Sequence, residues 1–154
     1  MKREADKMGA FDAIKISATG LTAERTRMDI IAKNITNANV TRTANGGPYR
    51  RQMVTFEEKL SFEDVLNQLT GAKETKVTGN GVKIGEIVED QSPFIRVYEP
   101  GHPDADEEGY VLKPNVETVK EMVDMITASR SYEANVNAIN ITKGMCLKAL
   151  EIGK

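Results

Sequence analysis

Apolar residues recur at alternating steps of three and four near both ends of this chain, and at every second residue in parts of its middle. From Met122 the steps reach Met125, Ser129, Tyr132, Val136, Ile139, Lys143, Cys146 and Leu150, and seven of these nine positions are apolar. From Phe11 they reach Ile14, Ala18, Leu21, Arg25, Met28, Ala32 and Ile35, seven of eight. That spacing marks a narrow seam on a helix. Pro114 opens the second stretch, where a residue with fixed φ and no amide donor fits a helix start, and Gly144 alone interrupts it before Gly153. A helix of about 37 residues would be roughly 55 Å long, more than a compact domain of this size can cover, so it needs a partner. Two matching seams predict that the terminal helices pair as a coiled coil. Closing the long loop between them costs little more than closing a short one. An ordinary globular helical hairpin is the plainer alternative, and the helix lengths speak against it.

The pattern divides the chain into four segments. Residues 1–8 are a polar, flexible extension; 9–39 form an N-terminal helix; 40–113 are a β-rich segment; and 114–154 form the C-terminal helix. Asn34, Asn37 and Asn39 crowd the end of the first helix, where one asparagine caps it and the others can cross-link neighbouring backbone through their amides. In the middle, 40–48 reads as loop and 49–57 as a strand, with a short helix near 61–70. Residues 82–88 and 94–98 alternate at period two and flank a turn, Asp90-Gln91-Ser92-Pro93. The expected fold is mainly α with a small β-rich insert, a half-exposed antiparallel sheet of three or four strands.

Composition sharpens this picture. There is no tryptophan, and phenylalanine and tyrosine number four each, a thin stock for a globular core that favours seams. Net charge is −2, but residues 1–51 hold ten Lys/Arg against five Asp/Glu, while 52–113 hold six against thirteen. The basic third lacks interleaved aromatics, which argues against nucleic acid. The contrast suits head-to-tail contact between copies. No apolar run reaches membrane-spanning length, so no direct membrane insertion is expected, and the first residues do not form a secretory signal. Cys146 stands alone on the seam and reads as a small buried hydrophobe.

One cluster invites a chemical reading. Asp104, Asp106, Glu108 and Gly109 fall at positions 1, 3, 5 and 6 of a calcium loop, but position 12 is Asn115 where a bidentate carboxylate is needed. His102 is the sole histidine, so neither a common zinc set nor a Ser-His-Asp triad has more than one member here. The stretch 100–110 reads as an acidic turn closing a hairpin. No cofactor, metal or catalytic residue is expected.

The run Ile16-Ser17-Ala18-Thr19-Gly20-Leu21-Thr22-Ala23, followed by Met28-Asp29-Ile30-Ile31-Ala32-Lys33-Asn34-Ile35-Thr36-Asn37-Ala38-Asn39, resembles the N-terminal signature of bacterial flagellar rod and hook proteins. Val119-Lys120-Glu121-Met122-Val123-Asp124-Met125-Ile126, Arg130-Ser131-Tyr132-Glu133-Ala134-Asn135 and Lys148-Ala149-Leu150 resemble their C-terminal one. Gly46-Gly47-Pro48-Tyr49-Arg50-Arg51, Asp90-Gln91-Ser92-Pro93 and the stretch 100–110 are similar to a proximal-rod member of that family. Lys33 departs from its usual small or polar residue, and 1–7 precede its usual start, which makes Met8 the expected initiator.

The resemblance implies a structural subunit, not an enzyme. Its copies assemble with one another, with other rod subunits and with neighbouring basal-body components. They form a helical tube that transmits torque and lets export substrates pass. The subunit itself would leave by the flagellar type III export apparatus without a cleaved signal and work in the periplasm. Apolar residues off the seams, among them Ile16, Ile30, Ile31, Val123, Ile126, Ile141 and Leu147, fit repeated heterologous contacts that build a filament. The residues expected at the seam and between subunits are Phe11, Ile14, Ala18, Leu21, Met28, Ile31, Asn34, Ile35 and Asn37 on the first helix. On the second they are Met122, Met125, Ile126, Tyr132, Asn135, Val136, Ile139, Cys146, Leu147 and Leu150. The reading from another class is a cytoplasmic coiled-coil adaptor that dimerises through its terminal helices.

Overall fold

A computed structural model describes residues 10–44, 46–60, 65–66, 69–70 and 80–152. Its elements in order are α1 (Ala10–Thr36), β1 (Gln52–Glu58), β2 (Val82–Glu89), β3 (Ile95–Tyr98), β4 (Tyr110–Lys113) and α2 (Thr118–Ile152). Val65, Leu66, Leu69 and Thr70 are helical, within the short helix expected near 61–70; the rest of that helix, the extension 1–8 and Gly9 lie outside the described residues.

Two long helices therefore flank a small β-rich middle, and each packs on the other. Gly20 of α1 lies against Asn135 of α2, where a Cβ on the glycine would sit 3.1 Å from the amide nitrogen. Asn34 of α1 hydrogen-bonds Glu121 of α2. α1 ends where the Asn37 amide donates to the Lys33 carbonyl at 2.8 Å, a side-chain cap at the helix terminus. α2 begins at Thr118 and not directly after Pro114, because Asn115 is engaged elsewhere. Its side chain accepts from the Arg51 amide at 2.8 Å and donates to the carbonyls of Asp90 and Ser92.

The middle corrects the expected single sheet of three or four strands: it holds two separate two-stranded ribbons, β1 with β2 and β3 with β4. The turn at 90–93 explains the split. The Asp90 amide donates to the Arg51 carbonyl and closes the first ribbon, while the Asp90 carboxylate accepts from the Ser92 amide. Pro93 then offers no donor to extend pairing. β3 pairs forward instead, with Ile95 opposite Lys113 and Tyr98 opposite Tyr110. The acidic stretch closes this hairpin as turn architecture. Asp106 accepts from the amides of Glu108 and Tyr110, and Gly109 adopts φ +82°, a conformation natural to glycine. The Tyr98 and Tyr110 rings meet edge to face at 5.3 Å.

The chain forms two compact units. Unit 1 comprises Met1–Glu24, Phe56–Gly85 and Arg130–Lys154; unit 2 comprises Arg25–Thr55 and Glu86–Ser129. Ile31, Tyr49, Val111, Val116 and Ala128, all in unit 2, are buried, and Ala23 is the buried apolar residue of unit 1 among those described. In unit 1 the Thr19 hydroxyl donates to the Ile16 carbonyl and accepts from the Val82 amide at 3.0 Å, tying α1 to the start of β2. Phe11, Leu69, Leu150 and Ile152 of the same unit are each at least 70% exposed.

Candidate functional site: a buried clasp and the exposed helix faces

Unit 2 is organised around Asn34, a residue 1% exposed in the last turns of α1. Its amide nitrogen donates to the Gln52 carbonyl at 2.8 Å and to Glu121 Oε2 at 2.9 Å. Its oxygen accepts from the Gln52 amide and from the Tyr49 hydroxyl, both at 2.9 Å. All four bonds an asparagine amide can make are made. Glu121, also 1% exposed, uses its other oxygen for Arg51 Nε at 2.6 Å. Arg51 reaches Asp90 at 3.7 Å and Asp124 at 3.5 Å as well. Thus α1, β1, the 90–93 turn and α2 meet in one hydrogen-bonded clasp inside an otherwise small apolar core.

Local sequence sets these parts in place. Gly46 and Gly47, at φ +81° and +79°, fold the loop back so that the Tyr49 amide bonds the Val40 carbonyl and the phenol slides beneath the end of α1. The Arg50 guanidinium stacks 4.4 Å over Phe94 and donates to the Asp90 carbonyl, leaving Arg51 turned inward. Burial raises the Tyr49 phenol pKa, with the charges of Glu121 and Glu89 acting in the same direction. Burial pulls Arg51 down, but the hydrogen bond and charge of Glu121, then Asp90 and Asp124, outweigh it and hold the guanidinium pKa above its usual value. The Ser92 hydroxyl and amide, then Arg51, hold Asp90 below the usual carboxylate range.

The residues expected at the seam fall into two sets. On α1, Ile31 and Asn34 are buried, Ile14, Leu21, Met28 and Ile35 are half-buried, and Phe11 and Ala18 are exposed; Asn37, just past its end, is half-buried. On α2, Met125, Tyr132, Asn135, Val136, Ile139 and Cys146 are half-buried, whereas Met122, Ile126, Leu147 and Leu150 are exposed. Ser129 and Val136 are also half-buried on their stripe, while at several other stripe positions the preceding residue is the less exposed one. Ser17, Glu24 and Ile31 turn in where Ala18, Arg25 and Ala32 were expected. Glu121 and Thr142 turn in where Met122 and Lys143 were expected, and Ala128 is fully buried beside half-buried Ser129. The inward residues are largely small or polar, and apolar periodicity carries no mark of a buried carboxylate such as Glu121. Tyr49 and Arg51 lay in a recognised motif with no role assigned. Their signal was charge and aromaticity next to a glycine turn.

The outward set leaves α2 with Val119, Met122, Val123 and Ile126 on one face of unit 2 at helical spacing, each more than half exposed. In unit 1, Ile141, Met145, Leu147, Leu150 and Ile152 are likewise exposed. His102 accepts a hydrogen bond from the Asp104 amide through Nδ1 and belongs to the hairpin turn. Among the described residues no three His, Cys, Asp or Glu side chains are grouped to hold a metal, and no helix is long and apolar enough to cross a membrane.

Comparison with known proteins agrees with this layout. The family described as "Flagella basal body rod protein" matches residues 14–42, and that described as "Flagellar basal body rod FlgEFG protein C-terminal" matches 107–152. The flagellar basal-body rod protein FlgC of Bacillus subtilis is 52% identical over 153 residues, covering 96% of this chain and all of the relative. That of Borreliella burgdorferi is 44% identical over 149 residues, covering 94% and 98%. That of Salmonella typhimurium is 38% identical over 147 residues, covering 96% and 100%. With identity of 38–52% to these relatives running from end to end, the chain belongs to the FlgC family of flagellar basal-body rod proteins.

Proposed function

We propose that the chain is a structural subunit of the proximal rod of the bacterial flagellar basal body. It is not an enzyme: its relatives carry the names of rod proteins, and Asp104 and Asp106, singled out in the sequence, accept hydrogen bonds from Thr41 and from turn amides. The observation that carries the reading is the apolar face of α2 in unit 2. Val119, Met122, Val123 and Ile126 are each more than half exposed, apolar surface of the kind that packing on another molecule would cover. Neighbouring copies and other rod subunits cover that face. α1 and α2 pair as a coiled coil whose inward stripe mixes apolar and polar residues, and repeated heterologous contact extends the tube. The chain leaves the cell through the flagellar type III export apparatus, and its assembled form lies in the periplasm. No nucleic acid or membrane insertion enters this role.

The test separates folding from assembly. Substituting Ile126→Asp places a charge on an exposed position, so the isolated chain keeps its helical content and melting temperature to within a few degrees. In the assembled rod that charge is buried unpaired, at a cost of roughly 3–5 kcal/mol, and swimming is lost. His102→Ala leaves swimming intact. Normal motility with Ile126→Asp contradicts the reading.

A further inference from the structure

We propose that Asn34 and Glu121 form a register pin, the contact that selects one axial alignment of α1 and α2 in unit 2 from alignments the apolar contacts cannot tell apart. The inference concerns this chain alone and stands independently of the rod reading. Inward positions on both helices repeat every seven residues, as Met28 and Ile35 do on α1, and Glu121 and Ala128 on α2. Apolar packing at such a repeat is nearly unchanged when one helix slides by seven residues. The clasp is not. A slide in one direction sets Ala128 opposite Asn34, and a slide in the other sets Pro114 there. Either parts the Asn34 amide from the Glu121 carboxylate in a site from which water is excluded, since Asn34 and Glu121 are each 1% exposed. An unpaired buried polar group is far costlier than a rearranged apolar contact. A buried asparagine in a helical seam is the best-attested device for fixing register.

Two features make this a pin and not ordinary packing. Asn34 also bonds both backbone groups of Gln52, which fixes α1 to β1 before α2 is considered. Glu121 also bonds Arg51, which fixes α2 to the same strand's approach. Each helix is thus referred to one common piece of backbone. Sliding either helix breaks bonds to that reference, whichever way it moves.

Spin labels on cysteines replacing exposed Arg25 and Lys120, in a Cys146→Ser chain, report the alignment as a distance distribution. A slide of seven residues moves one helix about 10 Å along the other, well above the resolution of the method. The parent gives one narrow population. The Asn34→Leu/Glu121→Leu chain, in which Arg51 keeps Asp90 and Asp124, gives a second population displaced from the first. Ile31→Ala, which loosens the same core without touching the clasp, gives the parent's single distance. Should the double variant lack helical signal, Asn34→Ala is read in the same way. A single, unmoved population in the clasp variants overturns the proposal, and so does a second population in Ile31→Ala.

Discussion

Asn34 concentrates more bonding in one side chain than any other described residue, and its loss has a definite cost. Asn34→Ala leaves Glu121 Oε2, the Tyr49 hydroxyl and both backbone groups of Gln52 unmatched. Destabilisation of roughly 3 kcal/mol is expected, read as a shifted midpoint in denaturant. Tyr49 supplies a pH signature. Its folded pKa stands above the usual value of 10.0 because burial, Glu121 and Glu89 all oppose a phenolate. The unfolded phenol ionises first, so the stability Tyr49 contributes is whole below pH 10 and is lost as pH rises through the folded value. Tyr49→Phe should flatten the fall in stability above pH 10 while lowering stability at neutral pH. An unchanged alkaline slope would show that the phenol does not sense the clasp.

At the scale of elements, Gly20 shows how sequence and packing trade. A glycine inside α1 weakens the helix by about 1 kcal/mol relative to alanine. It stands there because a Cβ would press on the Asn135 side chain at 3.1–3.3 Å. Gly20→Val should therefore lower the melting temperature. The pair Gly20→Ala/Asn135→Ala, which makes the space and strengthens the helix, should raise helicity in a thermal melt. These contacts also mark what the sequence could say. Both helices and the acidic hairpin turn were legible because periodicity and turn residues are local signals. Glu121 was not legible as an inward position, since its burial follows from Asn34 and Arg51, partners distant in sequence. The division into two ribbons was hidden for the same reason: one Asp90 amide bonding Arg51 decides where β1 and β2 stop pairing.

The whole molecule is uneven in how much it buries. Unit 2 has a core of Ile31, Tyr49, Val111, Val116 and Ala128 around the clasp. Unit 1 buries Ala23 among its described apolar residues and leaves Phe11, Leu150 and Ile152 in water. Long helices without packing partners are marginal. Family membership gives partners a setting, and the proposed role requires α1 and α2 to become covered on assembly. Amide hydrogen exchange on the isolated chain, with its mass in solution measured alongside, tests this most directly. The account predicts a monomer in which amides of 28–36 and 120–128 are protected while those of 10–20 and 140–152 exchange rapidly. A discrete dimer protected along the full length of both helices, as a coiled-coil adaptor would be, contradicts it.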